Sequence, residues 1–232
     1  VVRRRTEAYP GDPRDLLDAL LAGTRTGESD DAMIVSVLRM AMFASHGVPG
    51  TALSWILLRL VAEPETAAAV RREATAELRP GAPESGAALE LTTAVIQEVL
   101  RLHPPQWLLT RTALRATTLG GYPVRAGQEV LVCPYVLHRD GRFWSEPERF
   151  DPSRWLTGER PHARHAYLPF GAGPRICPGS ALALRQLSVL TAVLARDFVL
   201  RLPALAEVEA TCDGLLLPAG VRGGWERSRV GV

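Results

Sequence analysis

A glycine-rich loop around one cysteine carries the residue types best suited to chemistry. The loop runs from Phe170 to Gly179 and reads FGAGPRICPG. Glycine lets backbone amides approach the sulfur of Cys177 closely, and the N–H bonds that they donate tune a thiolate metal ligand. A helix predicted to begin just after Cys177 directs the positive end of its dipole towards the anion. Arg175 could bind a carboxylate, and Phe170 could shield the sulfur from water. A buried free cysteine in a turn also fits these residues.

The fixed positions of this loop resemble the cysteine-ligand signature of the cytochrome P450 family, F-x-x-G-x-R-x-C-x-G. They are filled by Phe170, Gly173, Arg175, Cys177 and Gly179. The resemblance implies that Cys177 is the catalytic thiolate, the axial ligand of a haem b iron, and that Arg175 pairs with a haem propionate. It implies further haem contacts from Phe170, Gly171, Ile176, Gly179 and Ala183. Arg185 departs from the glutamate that the family often has there, but this position is not a ligand.

A second motif, Glu98-x-x-Arg101, places a carboxylate and a guanidinium on one face of a helix. A surface ion pair is the ordinary interpretation of this spacing. Here the helix is apolar and the motif resembles the family's E-x-x-R. The resemblance implies a third member, an arginine in a P-E-R-F segment, and Arg149 fills that position. Because two arginine forks can satisfy one buried carboxylate, we expect Glu98, Arg101 and Arg149 to brace the cysteine loop.

Several further residues resemble family positions more weakly. Arg111 is similar to the family's other propionate-pairing arginine, although a solvated charge on a strand is an equal alternative. The triplet HRD, which begins at His138, fits the family pattern as scaffolding for a loop. We expect no zinc site at His138, His162 or His165, because neither a cysteine pair nor the HExxH spacing accompanies them.

Two apolar segments fall where the family lines its substrate pocket, from Gln106 to Thr110 and from Leu215 to Leu217. This makes Trp107, Leu108 and Leu216 candidate substrate contacts. Ordinary core packing explains the same residues. Because these residues are few and mostly apolar, they indicate only that the substrate is a hydrophobic small molecule.

A long apolar helical pattern from Asp30 to about Val61 occupies the place of the family's oxygen-binding helix. The usual motif there is A-G-x-E/D-T-T, in which the acid and the alcohol help to deliver protons. The ungapped alignment puts Gly47 at the acid and Val48 at the alcohol, so neither side chain can relay a proton. A shifted alignment uses Thr51 as the alcohol.

The resemblance implies that Ala44 and Val48 contact the haem, while Gly47 and Thr51 are candidates for the oxygen side of the site. Pro49 removes a backbone donor and clashes with the preceding turn, so we expect a kink or local unwinding there. An opened helix could free carbonyl groups to hold a water molecule.

The pattern of elements predicts a mainly α fold with small β sheets. Helices are predicted before Pro104, short strands with turns at Gly120-Gly121 and Gly127 follow, and one more helix covers Ser180 to Arg196. The resemblance implies the C-terminal portion of the cytochrome P450 fold, of a soluble bacterial type. We therefore expect residues 1–232 to form a single partial domain, with the N-terminal half of the fold absent.

Composition excludes several other classes of protein. The net charge of +2 argues against a nucleic-acid binder, which usually has a concentrated basic face. Three widely spaced cysteines favour a reducing compartment, so we expect a cytoplasmic protein. The sequence suggests neither a membrane-spanning segment nor a signal peptide.

The sequence therefore predicts a haem-thiolate monooxygenase that oxidises a hydrophobic small molecule with O2. No flavin or iron–sulfur motif is present, so a ferredoxin or flavoprotein would donate the electrons. The full-length protein is expected to be a monomer. Two alternatives follow from the altered oxygen-side helix: a peroxide-driven or non-hydroxylating haem enzyme, and a degenerate, non-enzymatic remnant.

Overall fold

The computed structural model describes residues 13–25, 30–78, 88–158, 162–163, 165–203 and 205–228. The described residues form mainly helices with four small antiparallel sheets, as the predicted fold class requires. The chain divides into two units, Val1–Pro49 and Gly50–Val232. The single partial domain expected for the whole chain stays a prediction.

The first unit contains helices α1 (Leu16–Arg25) and α2 (Asp31–Ala44), which pack against each other. Asp30 caps α2, because its carboxylate accepts a hydrogen bond of 2.7 Å from the backbone N–H of Met33. Ile34 is the buried residue of α2. The apolar side chains of Met42 and Phe43 are 71% and 81% exposed in the described chain.

The predicted interruption of the long helix is confirmed. Helix α2 ends at Ala44, and α3 (Gly47–Ala62) begins after a turn at Ser45 and His46. Pro49 is the third residue of α3, where its missing N–H costs no helical hydrogen bond. The carbonyl oxygen of Met42 accepts hydrogen bonds from the Ser45 hydroxyl at 3.0 Å and His46 Nδ1 at 2.9 Å. This carbonyl is therefore already satisfied by side chains.

By length and composition alone, the stretch Asp31–Ala62 is apolar enough to cross a membrane, and its qualifying 18-residue apolar window is only 6% buried. The core helix of a soluble protein passes the same test, so this is weak support for a membrane segment. The expectation that there is none stays a prediction.

The second unit is built around α3 from Gly50 onward and around helices α4 (Pro64–Glu77), α5 (Glu90–Leu102) and α7 (Ser180–Asp197). Helices α4, α5 and α7 pack on one another. Their main apolar cluster contains Ala52, Trp55, Ile56, Leu58, Leu60, Val70, Val95, Ile96, Val99, Leu100 and Leu187. Four residues of this cluster, Val95, Ile96, Val99 and Leu100, belong to α5, the helix that carries the E-x-x-R motif.

Helix α5 begins and ends for identifiable reasons. At its start, Glu73 of α4 accepts backbone hydrogen bonds from Leu91 at 2.7 Å and Thr92 at 2.8 Å. A carboxylate at this end also complements the helix dipole. At its other end, Pro104-Pro105 cannot continue a helix. Both boundaries place Glu98 and Arg101 in the last two turns.

The strands form four antiparallel pairs. Strand β1 (Leu109–Thr112) pairs with β4 (Glu129–Val132), and β2 (Thr117–Leu119) pairs with β3 (Tyr122–Val124). Strand β5 (Phe198–Arg201) pairs with β8 (Gly224–Arg227), and β6 (Glu209–Asp213) pairs with β7 (Leu215–Ala219). Gly120 and Gly121 join β2 to β3 with φ of 57° and 86°, which confirms the predicted glycine turn.

The segment between β4 and α7 is mostly irregular. It contains the short helix α6 (Pro134–Leu137) and two 3-10 turns, Pro152–Trp155 and Gly173–Arg175. The first 3-10 turn packs against α5. The second belongs to the cysteine loop, so this irregular segment connects the E-x-x-R helix to the cysteine.

Candidate functional site

The cysteine loop is held by its own backbone hydrogen bonds. The N–H of Cys177 donates to the carbonyl of Phe170 at 2.9 Å, and the N–H of Gly171 donates to Leu168 at 3.1 Å. Gly171 and Gly173 have φ of 73° and 70°, a region that residues with a β-carbon rarely adopt. Two of the loop's glycines are therefore required by its backbone path.

Cys177 presents a free, exposed thiol two residues before the N-cap of α7. A side chain at Gly179 would place its β-carbon 3.9 Å from the sulfur, so glycine leaves this side of the thiol open. The apolar side chains of Ile176 and Leu182 are 54% and 72% exposed nearby in sequence. Ala183 and Phe170 are partly buried, and Phe170 packs against the core.

The two arginines expected to pair with propionates are both exposed. Arg111 lies on β1, where its guanidinium donates to the neighbouring carbonyl of Thr110 at 2.7 Å. Arg175 lies in the 3-10 turn next to the cysteine, and the described residues offer it no ion-pair partner. Both cations are thus available to an anionic ligand, which agrees with the expected role without testing it.

Glu98 and Arg101 form a fully buried ion pair. Arg101 Nε and Nη2 donate to the two carboxylate oxygens at 2.9 and 2.8 Å, and both side chains have 0% exposure. The remaining Arg101 donors bond to the carbonyls of His138 at 2.9 Å, Pro147 at 2.5 Å and Arg149 at 2.9 Å. All five guanidinium N–H groups therefore have acceptors, which is what burial of this charge requires.

The prediction that the Arg149 side chain is the third member of the network is wrong. The Arg149 guanidinium pairs with Glu146 at 3.0 Å on the surface, and Arg149 contributes only its carbonyl to Arg101. Arg154 takes the predicted position, because its Nε donates to Glu98 at 3.1 Å. The 3-10 turn Pro152–Trp155 directs this side chain inward, whereas Arg149 precedes the turn.

The same turn supplies two more donors to the Glu98 carboxylate. The backbone N–H of Asp151 and the indole N–H of Trp155 both donate at 2.9 Å. Arg154 and Trp155 were not expected from the sequence. The sequence does contain a signal for them, because Pro152-Ser153-Arg154-Trp155 repeats the P-x-R-aromatic pattern five residues after Pro147-Glu148-Arg149-Phe150.

His138 connects this network to the cysteine loop. Its ring is fully buried, with Nδ1 3.1 Å from the carbonyl of Arg101 and Nε2 2.8 Å from the backbone nitrogen of Leu168. Burial, with smaller effects from Arg101 and Arg139, lowers the pKa of His138 to about 4. The ring is therefore neutral at neutral pH.

The oxygen-side candidates fall in both units. Ala44, Gly47 and Val48 lie in Val1–Pro49 and are exposed there, whereas Thr51 lies in Gly50–Val232 and is 4% exposed. The structure does not test their expected contacts with haem or oxygen, and these contacts stay predictions.

The expected substrate contacts differ in exposure. Trp107 and Leu108 are partly buried, and they lie in the segment of chain that joins α5 to β1. Leu216 is 2% exposed, its N–H donates to Pro105 at 3.0 Å, and its carbonyl accepts from the Trp55 indole at 2.8 Å. Leu216 therefore packs in the core of the described chain, as the alternative interpretation of this segment has it.

The residues expected to hold a haem have the chemistry that it needs. The donor set offers one accessible soft sulfur ligand, two exposed guanidinium groups and exposed aliphatic side chains. These are the chemical groups that bind the iron, the propionates and the flat apolar macrocycle. Among the described residues there is no cluster of three or more His, Cys, Asp or Glu that could hold a metal ion by itself.

Comparison with known proteins gives a consistent result. The sequence profile of the family described as Cytochrome P450 matches residues 1–220. Cyclooctatin synthase of Streptomyces melanosporofaciens is 35% identical over 197 residues, which cover 82% of this chain and 43% of that protein. Cyclooctat-9-en-7-ol 5-monooxygenase of the same organism is 37% identical over 206 residues, which cover 86% and 44%.

Comparison with solved structures indicates the same family as comparison with these relatives. A zebrafish cytochrome P450 with abiraterone has a TM-score of 0.83 at 29% identity, covering 98% of this chain and 56% of that one. The haem domain of cytochrome P450DA has a TM-score of 0.79 at 25% identity, covering 87% and 46%. The chain spans about half the length of the curated relatives that it matches. By sequence and by fold, the chain belongs to the cytochrome P450 family.

Proposed function

We propose that this chain supplies the thiolate side of a haem-dependent monooxygenase site. The observation that carries the proposal is the exposed thiol of Cys177, presented by a glycine-rich loop. The buried Glu98–Arg101 pair is linked to the start of this loop through His138 and Leu168. When bound, the haem iron would activate dioxygen. Cys177 would hold the iron, while Arg175 and Arg111 would hold the propionates.

Family membership supports a hydrophobic substrate and an external electron donor. One relative is named as a monooxygenase of cyclooctat-9-en-7-ol. We propose a hydrophobic small molecule as the substrate of this chain's site and a ferredoxin or flavoprotein as its reductant. The balance of the reaction is that of a monooxygenase: one oxygen atom of O2 enters a C–H bond, and two electrons and two protons reduce the other to water.

The oxygen-side helix favours a second candidate, a peroxide-driven reaction. Gly47 and Val48 have no side-chain group that can relay a proton. Hydrogen peroxide brings both electrons and both protons with the oxygen, so it needs no reductant and less proton delivery. We place this candidate second, because a water molecule or the substrate itself could supply the relay in the first.

One experiment separates the two candidates. The chain is loaded with haem and given the hydrophobic probe 7-ethoxycoumarin, either with O2, NADPH, ferredoxin and ferredoxin reductase, or with hydrogen peroxide alone. The proposal predicts dealkylated product in the first mixture. Product in the peroxide mixture alone would favour the second candidate, and equal product from Cys177→Ala would contradict both.

Haem affinity is a separate part of the proposal. The thiol and neighbouring aliphatic side chains are exposed in the described chain, and we expect a haem held there to keep part of its apolar surface in water. Each 100 Å² of apolar surface left in water forgoes about 2.5 kcal/mol. We therefore expect this chain alone to bind haem weakly, and more tightly with a complementing fragment from a family member's N-terminal half. A haem titration followed by absorbance measures both affinities.

A further inference from the structure

The His138 ring has one defined tautomer in this structure. The backbone N–H of Leu168 can only donate a hydrogen bond, and it points at Nε2 from 2.8 Å. Nε2 is therefore the unprotonated acceptor. The hydrogen must reside on Nδ1, from which it is donated to the carbonyl of Arg101 at 3.1 Å. The neutral ring thus uses both nitrogens, one as a donor and one as an acceptor.

The backbone of His138 is held by the same partner. Arg101 Nη1 donates to the His138 carbonyl at 2.9 Å, while the His138 ring donates to the Arg101 carbonyl. The two residues therefore hold each other through reciprocal side-chain-to-backbone bonds. The rings of Tyr167 and Trp144 lie 5.3 and 6.5 Å from the imidazole and restrict its rotation.

A short series of backbone bonds leads from the ring to the cysteine. Leu168, which donates to His138, accepts from the N–H of Gly171 at 3.1 Å. Phe170, between them, accepts from the N–H of Cys177 at 2.9 Å. A shift of Leu168 would therefore be passed to both ends of the loop that presents the thiol.

We propose that His138, as the neutral Nδ1–H tautomer, is a positioning residue that ties the start of the cysteine loop to the C-terminal end of α5. It acts through Leu168 and does not touch the thiol. The proposal rests on the proposed function in one respect only, that Cys177 is the group whose placement matters.

Histidine suits this position because its rigid ring carries a donor and an acceptor in one plane. Phenylalanine has a similar shape but offers neither, so the N–H of Leu168 would lose its acceptor on His138. Glutamine carries a carbonyl oxygen at about the reach of Nε2 and should accept from Leu168 again. The pair His138→Phe and His138→Gln therefore separates the hydrogen bond from the volume of the ring.

The first measurement needs no variant. Long-range proton–nitrogen NMR of the histidine rings in the unaltered chain reports which nitrogen of His138 carries hydrogen at pH 7. The proposal predicts an unprotonated Nε2 and a protonated Nδ1. The opposite tautomer, or a doubly protonated ring, would overturn it whether or not any variant folds.

The second measurement follows the loop by amide hydrogen exchange. His138→Phe should lower the protection of the Leu168 and Gly171 amides at least tenfold and leave that of Ala192 in α7 within threefold. His138→Gln should restore the protection of the Leu168 amide. His165→Asn, a change at an exposed histidine of the same segment, is the matched control. Unchanged protection in His138→Phe, or an equal loss at Ala192, would overturn the positioning role.

A third measurement connects the residue to the metal site and keeps the two proposals distinguishable. After loading with haem, reduction and addition of carbon monoxide, His138→Phe should lose at least half of the thiolate-type Soret band, and His138→Gln should recover part of it. An unchanged band in His138→Phe would overturn the effect on the thiolate. If the unaltered chain gave no such band, the proposed function would fail, and the tautomer and exchange results would still decide the role of His138.

Discussion

Arg101 and Glu98 form a bidentate ion pair with no solvent exposure, and every N–H of the guanidinium has an acceptor. Glu98 in turn accepts from Arg154, Trp155 and the backbone of Asp151. A buried ion pair is tolerated only when its hydrogen bonds are complete, and this one is. The pair thereby fixes three segments of irregular chain, around His138, Pro147 and the Pro152–Trp155 turn, to one helix.

Replacing Arg101 by lysine should destabilise the chain severely. Lysine keeps the charge but cannot reproduce the planar fork, so several of the five acceptors lose their donor. Breaking a buried pair costs about 3–5 kcal/mol, a large part of a domain's total stability. Urea unfolding followed by circular dichroism measures the loss. A change below about 1 kcal/mol would contradict the proposed importance of the fork.

Arg154 and Arg149 should differ in how much each contributes to the free energy of unfolding. Arg154→Ala should lower the free energy of unfolding by about 2 kcal/mol or more, because it removes a donor from a buried carboxylate. Arg149→Ala should change it by less than about 0.5 kcal/mol, since its guanidinium makes only a surface ion pair. The same urea measurement decides, and equal effects of the two substitutions would restore Arg149 to the network.

Acidification should destabilise the chain through two histidines. Burial is the largest cause that lowers the pKa of His138 to about 4 and that of His103 to about 3, with help from Arg101 and Arg139. Unfolding returns both towards the ordinary value of 6.5, so the unfolded state binds more protons below that pH. Their stabilisation is complete above pH 6.5 and is lost as the pH falls towards 4 and 3.

The size of this effect follows from linkage. Within that window each histidine costs about 1.4 kcal/mol of stability per pH unit. Urea unfolding at pH 7, 6, 5 and 4 measures the slope. His103→Gln should make it shallower, because one of the two groups no longer titrates. A free energy of unfolding that is constant from pH 6.5 to 4 would contradict the prediction.

The Trp55 indole should stabilise the β6–β7 hairpin. Its N–H donates to the carbonyl of Leu216, whose own N–H bonds to Pro105. Trp55→Phe should destabilise the chain by about 1–3 kcal/mol, as expected when a buried acceptor loses its partner. It should also speed amide exchange at Leu216. Trp225→Phe, at an exposed tryptophan, is the control and should change neither.

The two main motifs were predictable from sequence because their chemistry is local. The cysteine loop and the E-x-x-R pair each lie within ten consecutive residues, and their glycines and charges indicate close backbone approach and ion pairing. The position of Arg154 beside Glu98, in place of Arg149, is not set by local sequence. Both lie in a P-x-R-aromatic segment, and only the tertiary path of the Pro152–Trp155 turn against α5 selects the second.

The contacts of His138, Trp55 and Leu216 were beyond sequence reasoning for a related reason. Trp55 and Leu216 are 161 residues apart, and His138 bonds to residues 37 and 30 positions away. No spacing rule connects such positions. The interruption of the long helix ahead of Pro49, in contrast, is predictable from a local rule. Proline fits the first turn of a helix but not its middle, and the break falls just before it, at Ser45 and His46.

The carbon monoxide spectrum of the reduced chain loaded with haem tests most directly whether Cys177 is the thiolate ligand of the iron. The unaltered chain and Cys212→Ala, the control at another exposed free cysteine, should give a thiolate-type Soret band, and Cys177→Ala should not. A band that survives in Cys177→Ala, or that disappears in Cys212→Ala alone, would contradict the assignment.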